Sequence, residues 1–403
     1  MKLFADLQQG ELNEIFYKKP EEFNKFSDQD ILSYALGATL YMPATRPNIH
    51  QDLLSKKLYG LTSMVICLED AVGDSEVQLA ESMLISELHS LSEDIEKGLI
   101  NAEDLPLLFV RIRGYEQFMR LIKGVERGLE LLTGIVIPKF SPGTGKPILK
   151  EIKTLNDQGY TLYAMPILET KKVIQKDTRL SELMAIKELV DQYKNYILNM
   201  RIGATDFCGL YGIRRNCDTT VYDIAVIRDC IADIINVFLR SDQPYVISGP
   251  VWEYFSSKDR MLKPQLRQTP FRERFGNDGV DYRSALIDKH MDGLIREVLM
   301  DITNGLTGKT IIHPTHIRPV QALNAVSYEE YLDAKNIIDQ GNGQIGVMKS
   351  SFSNKMNEIK PHSYWAQKIL LKSKVYGVLN HEYTYIDLLS KEINTSNSQP
   401  INS

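Results

Sequence analysis

The chain contains 403 residues, of which 43% are hydrophobic and 25% charged, and this composition excludes a disordered tail, a collagen and a coiled coil. The net charge of −5 gives no general attraction to nucleic acid or to an anionic membrane, and no segment reaches the roughly 18 consecutive apolar residues of a membrane helix. We therefore expect neither partner. The first residues carry one lysine and no apolar core, so we expect no secretory signal. Four cysteines without a CxxC pair predict a reduced, cytoplasmic protein.

Eight short apolar runs recur along the chain, and longer amphipathic stretches separate them. Each run is continuous, with few alternating polar residues, which is typical of strands buried on both faces. In chain order the predicted strands are 38–43, 63–70, 105–113, 134–139, 161–170, 197–206, 244–250 and 308–314. The predicted helices are 75–97, 115–131, 178–196, 221–240 and 287–303.

Eight alternations of strand and helix favour an α/β fold, and in particular a closed (β/α)8 TIM barrel. An open doubly wound sheet is the alternative. We expect one catalytic barrel over residues 37–325, preceded by a helical extension over 1–36 and followed by a helical segment and tail over 326–403. Residues 253–290 form a long, arginine-rich excursion between the seventh and eighth predicted strands.

Polar residues follow most of the predicted strands, at the end where the active site of such a barrel lies. In chain order they are Arg46, Glu69, Asp70, Arg111, Arg113, Lys139, Glu169, Asp206, Ser248, Gly249 and His313. Charges at the ends of apolar runs are unfavourable unless they are paired or bind a ligand. The set therefore predicts a polar site at the mouth of the barrel. For any single residue, the alternative is a solvated charge in a loop.

Glu169 and Asp206 are the candidate metal ligands, because they follow the adjacent fifth and sixth predicted strands. Two carboxylates without a Cys or His cluster suit Mg²⁺, or Mn²⁺, which prefer oxygen ligands. A buried ion pair with Arg111 or Arg46 is the alternative. Guanidinium groups bind carboxylates bidentately. Together these groups predict a site for an anionic, oxygen-rich substrate on which an enolate develops.

Seven short motifs add a family resemblance to this pattern. They are ATLYMPATRP, VICLEDAV, LFVRIR, IVIPK, ILET, GATDFCGLYG and GKTIIHPTHI. In this order they resemble motifs of the citrate lyase β-subunit-like branch of the HpcH/HpaI aldolase superfamily, over roughly residues 38–375. That branch consists of Mg²⁺-dependent carbon–carbon bond lyases on a TIM barrel of the phosphoenolpyruvate/pyruvate-binding type. The chain is more similar to a longer subgroup of TIM-barrel C–C bond lyases, which is linked with tellurium-resistance-type operons.

The resemblance implies a role for individual residues. Glu169 and Asp206 would be the Mg²⁺ ligands, and Arg111 would bind the substrate carboxylate and stabilise the enolate. Asp70, with Glu69, would order the metal's water molecules or position Arg111. The remaining substrate contacts that we expect are Arg46, Arg113, Lys139, Ser248 and Gly249.

The implied reaction cleaves or forms a carbon–carbon bond in a hydroxy acid, an oxo acid or a hydroxyacyl thioester. The implied substrate is a small organic acid, either free, phosphorylated or linked to coenzyme A. The resemblance also implies a homo-oligomer, either a trimer or a hexamer. The family's Gly-Asp before the first arginine is here Ala44-Thr45, which puts coenzyme A use in doubt. The family's asparagine after the third strand is here Arg113, and the arginines of 253–290 either bind phosphate or belong to a solvated loop.

Several alternatives remain open from the residues alone. A malate synthase-like or thioesterase-like acyl-CoA enzyme would use the same site, and a barrel that only senses a metabolite would bind without turnover. SPGTGKP (141–147) and NGLTGKT (304–310) do not fit the phosphate-binding P-loop in pattern or in context. His313 is either a general acid or metal ligand, or a residue that supports the last strand. Cys208 and Cys217 lack an identifiable histidine partner and are read as ordinary thiols.

Overall fold

The computed structural model describes residues 1–55, 58, 60–255, 289–341 and 346–390. Most of the predicted excursion and the end of the predicted tail lie outside the described residues.

Eight parallel strands form the central sheet, after a short first strand, β1 (Phe16–Lys18). The eight strands are β2 (Ala38–Pro43), β3 (Ser63–Cys67), β4 (Leu107–Arg111), β5 (Leu132–Ile137), β6 (Tyr163–Leu168), β7 (Met200–Ile202), β8 (Ile247–Ser248) and β9 (Lys309–Ile311). Consecutive strands from β2 to β8 are neighbours, and β9 pairs with β2. A parallel bridge between Gly249 and Lys309 joins the two remaining edges. The prediction of a (β/α)8 barrel is confirmed.

Helices cover the outside of this barrel. They are α1 (Gln9–Ile15), α2 (Gln29–Ala35), α3 (Ile49–Leu54), α4 (Val77–Glu96), α5 (Tyr115–Val125), α6 (Pro142–Asp157), α7 (Lys171–Ile174), α8 (Arg179–Gln192), α9 (Ala204–Leu210), α10 (Ala225–Phe238), α11 (Lys289–Thr303), α12 (Ile317–Leu323), α13 (Tyr328–Asp339) and α14 (Ile359–Tyr376). The long helices bury one face; α4, for example, buries Ala80, Leu84, Leu88 and Leu91, a spacing of three and four residues that places them on one side.

The strands are shorter at their carboxyl ends than the apolar runs suggested. β3 ends at Cys67 and β7 ends at Ile202, whereas the predictions extended to residues 70 and 206. The polar residues of these runs leave the hydrogen-bonded ladder and form the connecting segments. This shortening places Glu69, Asp70 and Asp206 at the mouth of the barrel, on loops and on the short helix α9.

The segment SPGTGKP begins the helix α6, between β5 and β6. Ser141 precedes α6 and its hydroxyl accepts a hydrogen bond from the Thr144 backbone N–H at 3.3 Å. The Thr144 hydroxyl in turn lies 3.1 Å from the Ser141 backbone N–H. Pro142 occupies the first helical position, where its missing N–H has no consequence. The segment is therefore the capped start of a helix.

The two ends of the described chain are joined to each other. After the hairpin of β10 (Val347–Lys349) and β11 (Met356–Glu358), α14 leads into β12 (Val378–Leu379), which pairs antiparallel with β1. The α14 helix packs against α2 and α13. Within the described residues, no helix has the length and apolarity needed to cross a membrane.

Candidate active site

A cavity of about 630 Å³ opens at the carboxyl ends of the strands. Its walls combine charged groups with apolar ones. The lining side chains are Tyr41, Met42, Pro43, Cys67, Asp70, Ala71, Arg111, Ile167, Glu169, Arg201, Ile202, Gly203, Thr205, Asp206, Val251, Thr310 and Ile312. Four of the predicted site residues are among them, namely Asp70, Arg111, Glu169 and Asp206.

Glu169 and Asp206 are brought together, as their position after adjacent strands indicated. Glu169 is 4% exposed, and its Oε1 accepts a hydrogen bond of 2.7 Å from the Lys139 backbone N–H. A Cβ atom at Gly203 would lie 2.2 Å from Glu169 Oε2, so a glycine is required where β7 leads into α9. Burial, and then the charge of Asp206, raise the pKa of Glu169 to about 8. Burial and the charge of Asp70 also raise the pKa of Asp206.

These raised pKa values have one physical reading. Two acids that are desolvated and near each other favour protonation unless a cation compensates their charge. Within the described part of the chain, no group of three or more His, Cys, Asp or Glu side chains is arranged to hold a metal ion. A metal here would therefore take two protein carboxylates and complete its shell with water and substrate oxygens, as Mg²⁺ commonly does.

Glu69, Asp70, Arg111 and Lys139 form an ion-pair network beside this carboxylate pair. Arg111 Nη2 lies 3.1 Å from Glu69 Oε2 and 3.4 Å from Asp70 Oδ2. Lys139 Nζ contacts Glu69 and lies 3.4 Å from Asp70 Oδ1. Burial and the hydrogen bond with Asp70 raise the pKa of Glu69. For Asp70 burial acts in the same direction, but its hydrogen bond with Glu69 and the two cations outweigh burial and lower its pKa.

Arg111 is held by neighbouring side chains at Nε, at Nη2 and over the plane of its guanidinium. Its Nε donates to Cys67 Sγ at 3.1 Å, and its guanidinium carbon lies 5.6 Å from the centre of the Tyr41 ring. Because Glu69 and Asp70 hold the same guanidinium, its direction is set before any ligand binds. Such preorganised donors suit a charge that develops during a reaction.

Lys139 joins the two carboxylate groups of the site. Its backbone donates to Glu169, while its ammonium contacts Glu69 and lies 4.0 Å from Asp206 Oδ1. The residue has a φ of 47°, a left-handed conformation that is uncommon for a residue with a Cβ. This turn of the backbone is what directs the N–H and the side chain to different acids.

Five predicted substrate contacts lie outside the cavity wall. Lys139, described above, is one of them, and the other four are held by different contacts. Arg46 pairs with Asp52. Arg113 donates from Nε to Leu68 O, from Nη2 to Val72 O and from Nη1 to Asp74 Oδ1, so it fixes the loop after β3. The Ser248 hydroxyl is buried and donates to Thr307 O at 3.2 Å, and Gly249 closes the barrel against Lys309.

His313 also lies outside the cavity wall. Its Nδ1 is 2.8 Å from the Thr315 hydroxyl, and its ring stacks on Phe255 at 4.5 Å. The histidine thus supports the loop after the last strand. The four cysteines are free, and Cys208 and Cys230 are buried.

Four further residues line the cavity and were not predicted from the sequence, namely Arg201, Tyr41, Cys67 and Thr310. Arg201 offered a signal, because it is a charged residue in the middle of the apolar run ILNMRIG. The other three are ordinary strand residues, and nothing in their types distinguishes a side chain that points inward.

A family model for C–C bond lyases of the TIM-barrel fold matches residues 30–378. Because the match spans most of the chain, the chain belongs to this family and is an enzyme of the lyase type. A comparison with curated proteins finds no match.

Solved structures with the same fold include a citrate lyase and a protein named CitE. A citrate lyase from Burkholderia xenovorans LB400 has a TM-score of 0.57 at 14% sequence identity, with 88% of this chain and 96% of that chain covered. The protein CitE from Mycobacterium tuberculosis, in complex with magnesium, acetoacetate and coenzyme A, has a TM-score of 0.50 at 16% identity, with 85% and 99% covered. At these identities the similarity shows the shared fold.

Proposed function

We propose that this lyase is Mg²⁺-dependent and cleaves or forms a carbon–carbon bond in a small hydroxy acid or oxo acid through an enolate. The observation that carries the proposal is the convergence of Glu169 and Asp206 with Arg111 on one cavity. Two desolvated carboxylates and a fixed guanidinium beside them suit a metal-chelating anionic substrate. The complex of CitE with magnesium and acetoacetate supports this class of ligand by analogy of fold.

The residues present fit the metal. Glu169 is buried, its neighbour Asp206 faces the same cavity, and burial together with the charge of Asp206 raises the pKa of Glu169. When bound, Mg²⁺ would supply positive charge that polarises a carbonyl and stabilises an enolate. Lys139 holds Glu169 through its backbone and stays outside the cavity wall.

Arg111 performs the second part of this function. It binds the acid group of the substrate and orients it, because Cys67, Glu69 and Asp70 leave its guanidinium a single direction. As negative charge moves onto the enolate oxygen, the same fixed N–H groups stabilise it without reorganisation. The apolar wall of Ile167, Ile202 and Val251 reduces the access of water, which strengthens both interactions.

Asp206→Asn and Glu169→Gln test the metal site. We expect either variant to lose Mg²⁺-dependent release of pyruvate from 4-hydroxy-2-oxo acids, or the corresponding cleavage of 3-hydroxyacyl-CoA, by at least a hundredfold. The melting temperature should stay within a few degrees, because neither change alters side-chain volume. Asp157→Asn, an exposed acid on α6 paired with Lys153, is the matched control. Full activity in EDTA, or in either site variant, would contradict the proposal.

The same assay compares free acids with thioesters. Arg46 pairs with Asp52 and does not line the cavity, and Ala44-Thr45 replaces the Gly-Asp of the resembling family. We therefore propose a free acid as the substrate. Cleavage of the coenzyme A thioester alone would show that this part of the proposal is wrong.

A further inference from the structure

Arg201 is a buried cation in the wall of the catalytic cavity. Its side chain is 1% exposed and lies inside the barrel on β7. It pairs in register with Ile167, two residues before Glu169, so its Cα lies about 6–7 Å deeper along the barrel than that of Glu169. Glu169 is therefore nearer the rim than Arg201.

Within the described residues, Arg201 has no acidic partner. The other three buried arginines are each paired with a carboxylate: Arg179 with Asp229 and Asp233, Arg215 with Glu297, and Arg318 with Asp6. An unpaired buried charge is strongly unfavourable. Since no acid of the described residues neutralises Arg201, an anion that enters the cavity would supply the partner that this cation lacks there.

The hydrogen bonds of Arg201 leave donors for such an anion. Nη2 donates to the Thr310 hydroxyl at 2.7 Å, while Nη1 reaches the Thr39 hydroxyl only at 3.5 Å. Nε is buried without a partner. Nη1 also lies 3.8 Å from Met165 Sδ, and the side chain hydrogen-bonds Tyr41. None of these partners is charged, so the five N–H groups of the guanidinium meet only neutral groups among the described residues. The Thr310 hydroxyl also lines the cavity and orients the guanidinium from one side.

The two cationic groups of the site line the same cavity and contact the same aromatic ring. The guanidinium carbons of Arg111 and Arg201 lie 5.6 Å and 5.5 Å from the centre of the same Tyr41 ring. A single small molecule in this cavity can therefore contact both. Because the deeper group is enclosed by the barrel, what it receives must be a terminal acid and cannot be the start of a long carrier arm.

We propose that Arg201, with Thr310, is a second anion subsite that receives the distal acid group of the substrate, so that the substrate is a small diacid. The distal group is a carboxylate or a phosphate, and both bind a guanidinium fork. The inference rests on the proposed function, since it takes the reacting end of the substrate to lie at Arg111 and the carboxylate pair. It makes Arg201 the residue that selects diacids over monoacids.

Binding of matched acids to the full chain in the presence of Mg²⁺ tests this subsite by titration calorimetry. Oxaloacetate is compared with 2-oxobutyrate, and 2-oxoglutarate with 2-oxovalerate, so that each pair differs in the distal carboxylate. The phosphonate 3-phosphonopyruvate distinguishes a phosphate site from a carboxylate site. In the wild type we expect at least one compound with a distal acid group to bind at least tenfold more tightly than the matched monoacid.

The Arg201→Met variant should abolish that preference and leave monoacid binding within threefold, and Arg201→Lys should retain part of it. Methionine fills a similar volume, and it removes a charge without a partner, so the melting temperature should be kept or raised. Arg179→Met, which removes a buried arginine outside the cavity, is the control and should keep the preference. No distal-anion preference in the wild type, or an equal loss for all acids in Arg201→Met, would overturn the subsite.

The same titrations separate the two proposals. If monoacid binding depends neither on Mg²⁺ nor on Asp206, the proposed metal function is wrong. The loss of distal-anion preference in Arg201→Met still reports on the subsite in that case.

Discussion

The orientation of the Arg111 guanidinium is set by the side chains around it. Cys67 accepts from Nε, while Glu69 and Asp70 lie on the Nη2 side. The three contacts use the planar fork of a guanidinium. An ammonium is a point charge and cannot make them at once.

Arg111→Lys should therefore lower kcat by roughly 10²–10³-fold, the loss typical of one preorganised donor, with a small change in melting temperature. Steady-state kinetics and thermal unfolding measure the two quantities. Arg120→Lys, at an exposed arginine paired with Glu81, is the matched control and should keep the wild-type kcat. Activity of Arg111→Lys within twofold of the wild type would show that the fixed fork is not needed.

The two arginines at the end of β4 show that residue type does not decide whether a side chain reaches the cavity. Arg111 and Arg113 are two positions apart in LFVRIR, and the sequence assigned both to the substrate. Arg111 is the last residue of β4 and faces the cavity, whereas Arg113 is in the following loop and holds Leu68 O, Val72 O and Asp74. The path of the loop directs Arg113 away from the cavity, and this path cannot be predicted from the residue types.

At the scale of elements, β5 and β6 approach each other closely at Gly134. Gly134 pairs with Tyr163, and a Cβ atom at Gly134 would lie 2.1 Å from the Tyr163 backbone oxygen. Neither backbone can move without breaking the parallel ladder. Glycine at this position is therefore a packing requirement of the sheet.

Gly134→Ala should destabilise the protein by about 3 kcal/mol or more, the range of severe overpacking, or prevent folding. Gly143→Ala in the first turn of α6 is the control, because nothing lies within 4 Å of its added Cβ. There the helix should gain up to about 1 kcal/mol from the better propensity of alanine. Urea unfolding of both variants measures the free energies, and equal stability would refute the packing argument.

The helix α14 carries a buried lysine whose charge opposes folding. Lys372 is 9% exposed, and burial lowers its pKa from 10.5 to about 8, although Glu330 acts in the opposite direction. Between these two pH values the unfolded chain binds more protons than the folded protein. The contribution of Lys372 to stability therefore becomes more favourable as the pH rises through this window.

Lys372→Met should accordingly raise the free energy of unfolding at pH 7 by a few kcal/mol, on the order of the shift in pKa. The gain should shrink from pH 8 upwards and vanish near pH 10.5. Denaturant unfolding at several pH values measures it. Lys374→Met, at an exposed lysine of the same helix, should leave the pH profile unchanged, and a pH-independent gain in Lys372→Met would contradict the assignment.

At the scale of the whole molecule, the segment after the barrel completes the fold. The Val326 N–H donates to Gly377 O and the Leu379 N–H donates to Val326 O, β12 pairs with β1, and the Tyr376 hydroxyl donates to Tyr34 O at 2.8 Å. These contacts connect the last described elements to the first, across the whole length of the chain.

A chain truncated after Ala325 should therefore lose cooperative folding, because it leaves the buried face of α2 and the edge of β1 uncovered. Circular dichroism and thermal unfolding of the truncated protein measure this. A melting temperature within a few degrees of the full chain would show that the barrel is independent of its C-terminal segment. The homo-oligomer that the family resemblance implies stays a prediction, and light scattering coupled to size exclusion measures it.

The sequence by itself determined the barrel and which of its acids lie at the mouth. Continuous apolar runs locate strands that are buried on both faces, and β2 has the predicted bounds. Because parallel strands bring their carboxyl ends to one rim, Asp70, Arg111, Glu169 and Asp206 could be placed on one site. All four line the same cavity.

Only the tertiary structure decided which of the remaining cations face that cavity. Along β7, successive side chains point to opposite sides of the sheet, so Arg201 is inside the barrel because of the register of a three-residue strand. Arg46, Arg113, Ser248 and Gly249 have suitable positions in the sequence, but ion pairs, loop contacts and barrel closure hold them elsewhere. Spacing along a chain fixes which end of a strand a residue occupies; the direction of its side chain and its partner depend on the packed neighbours.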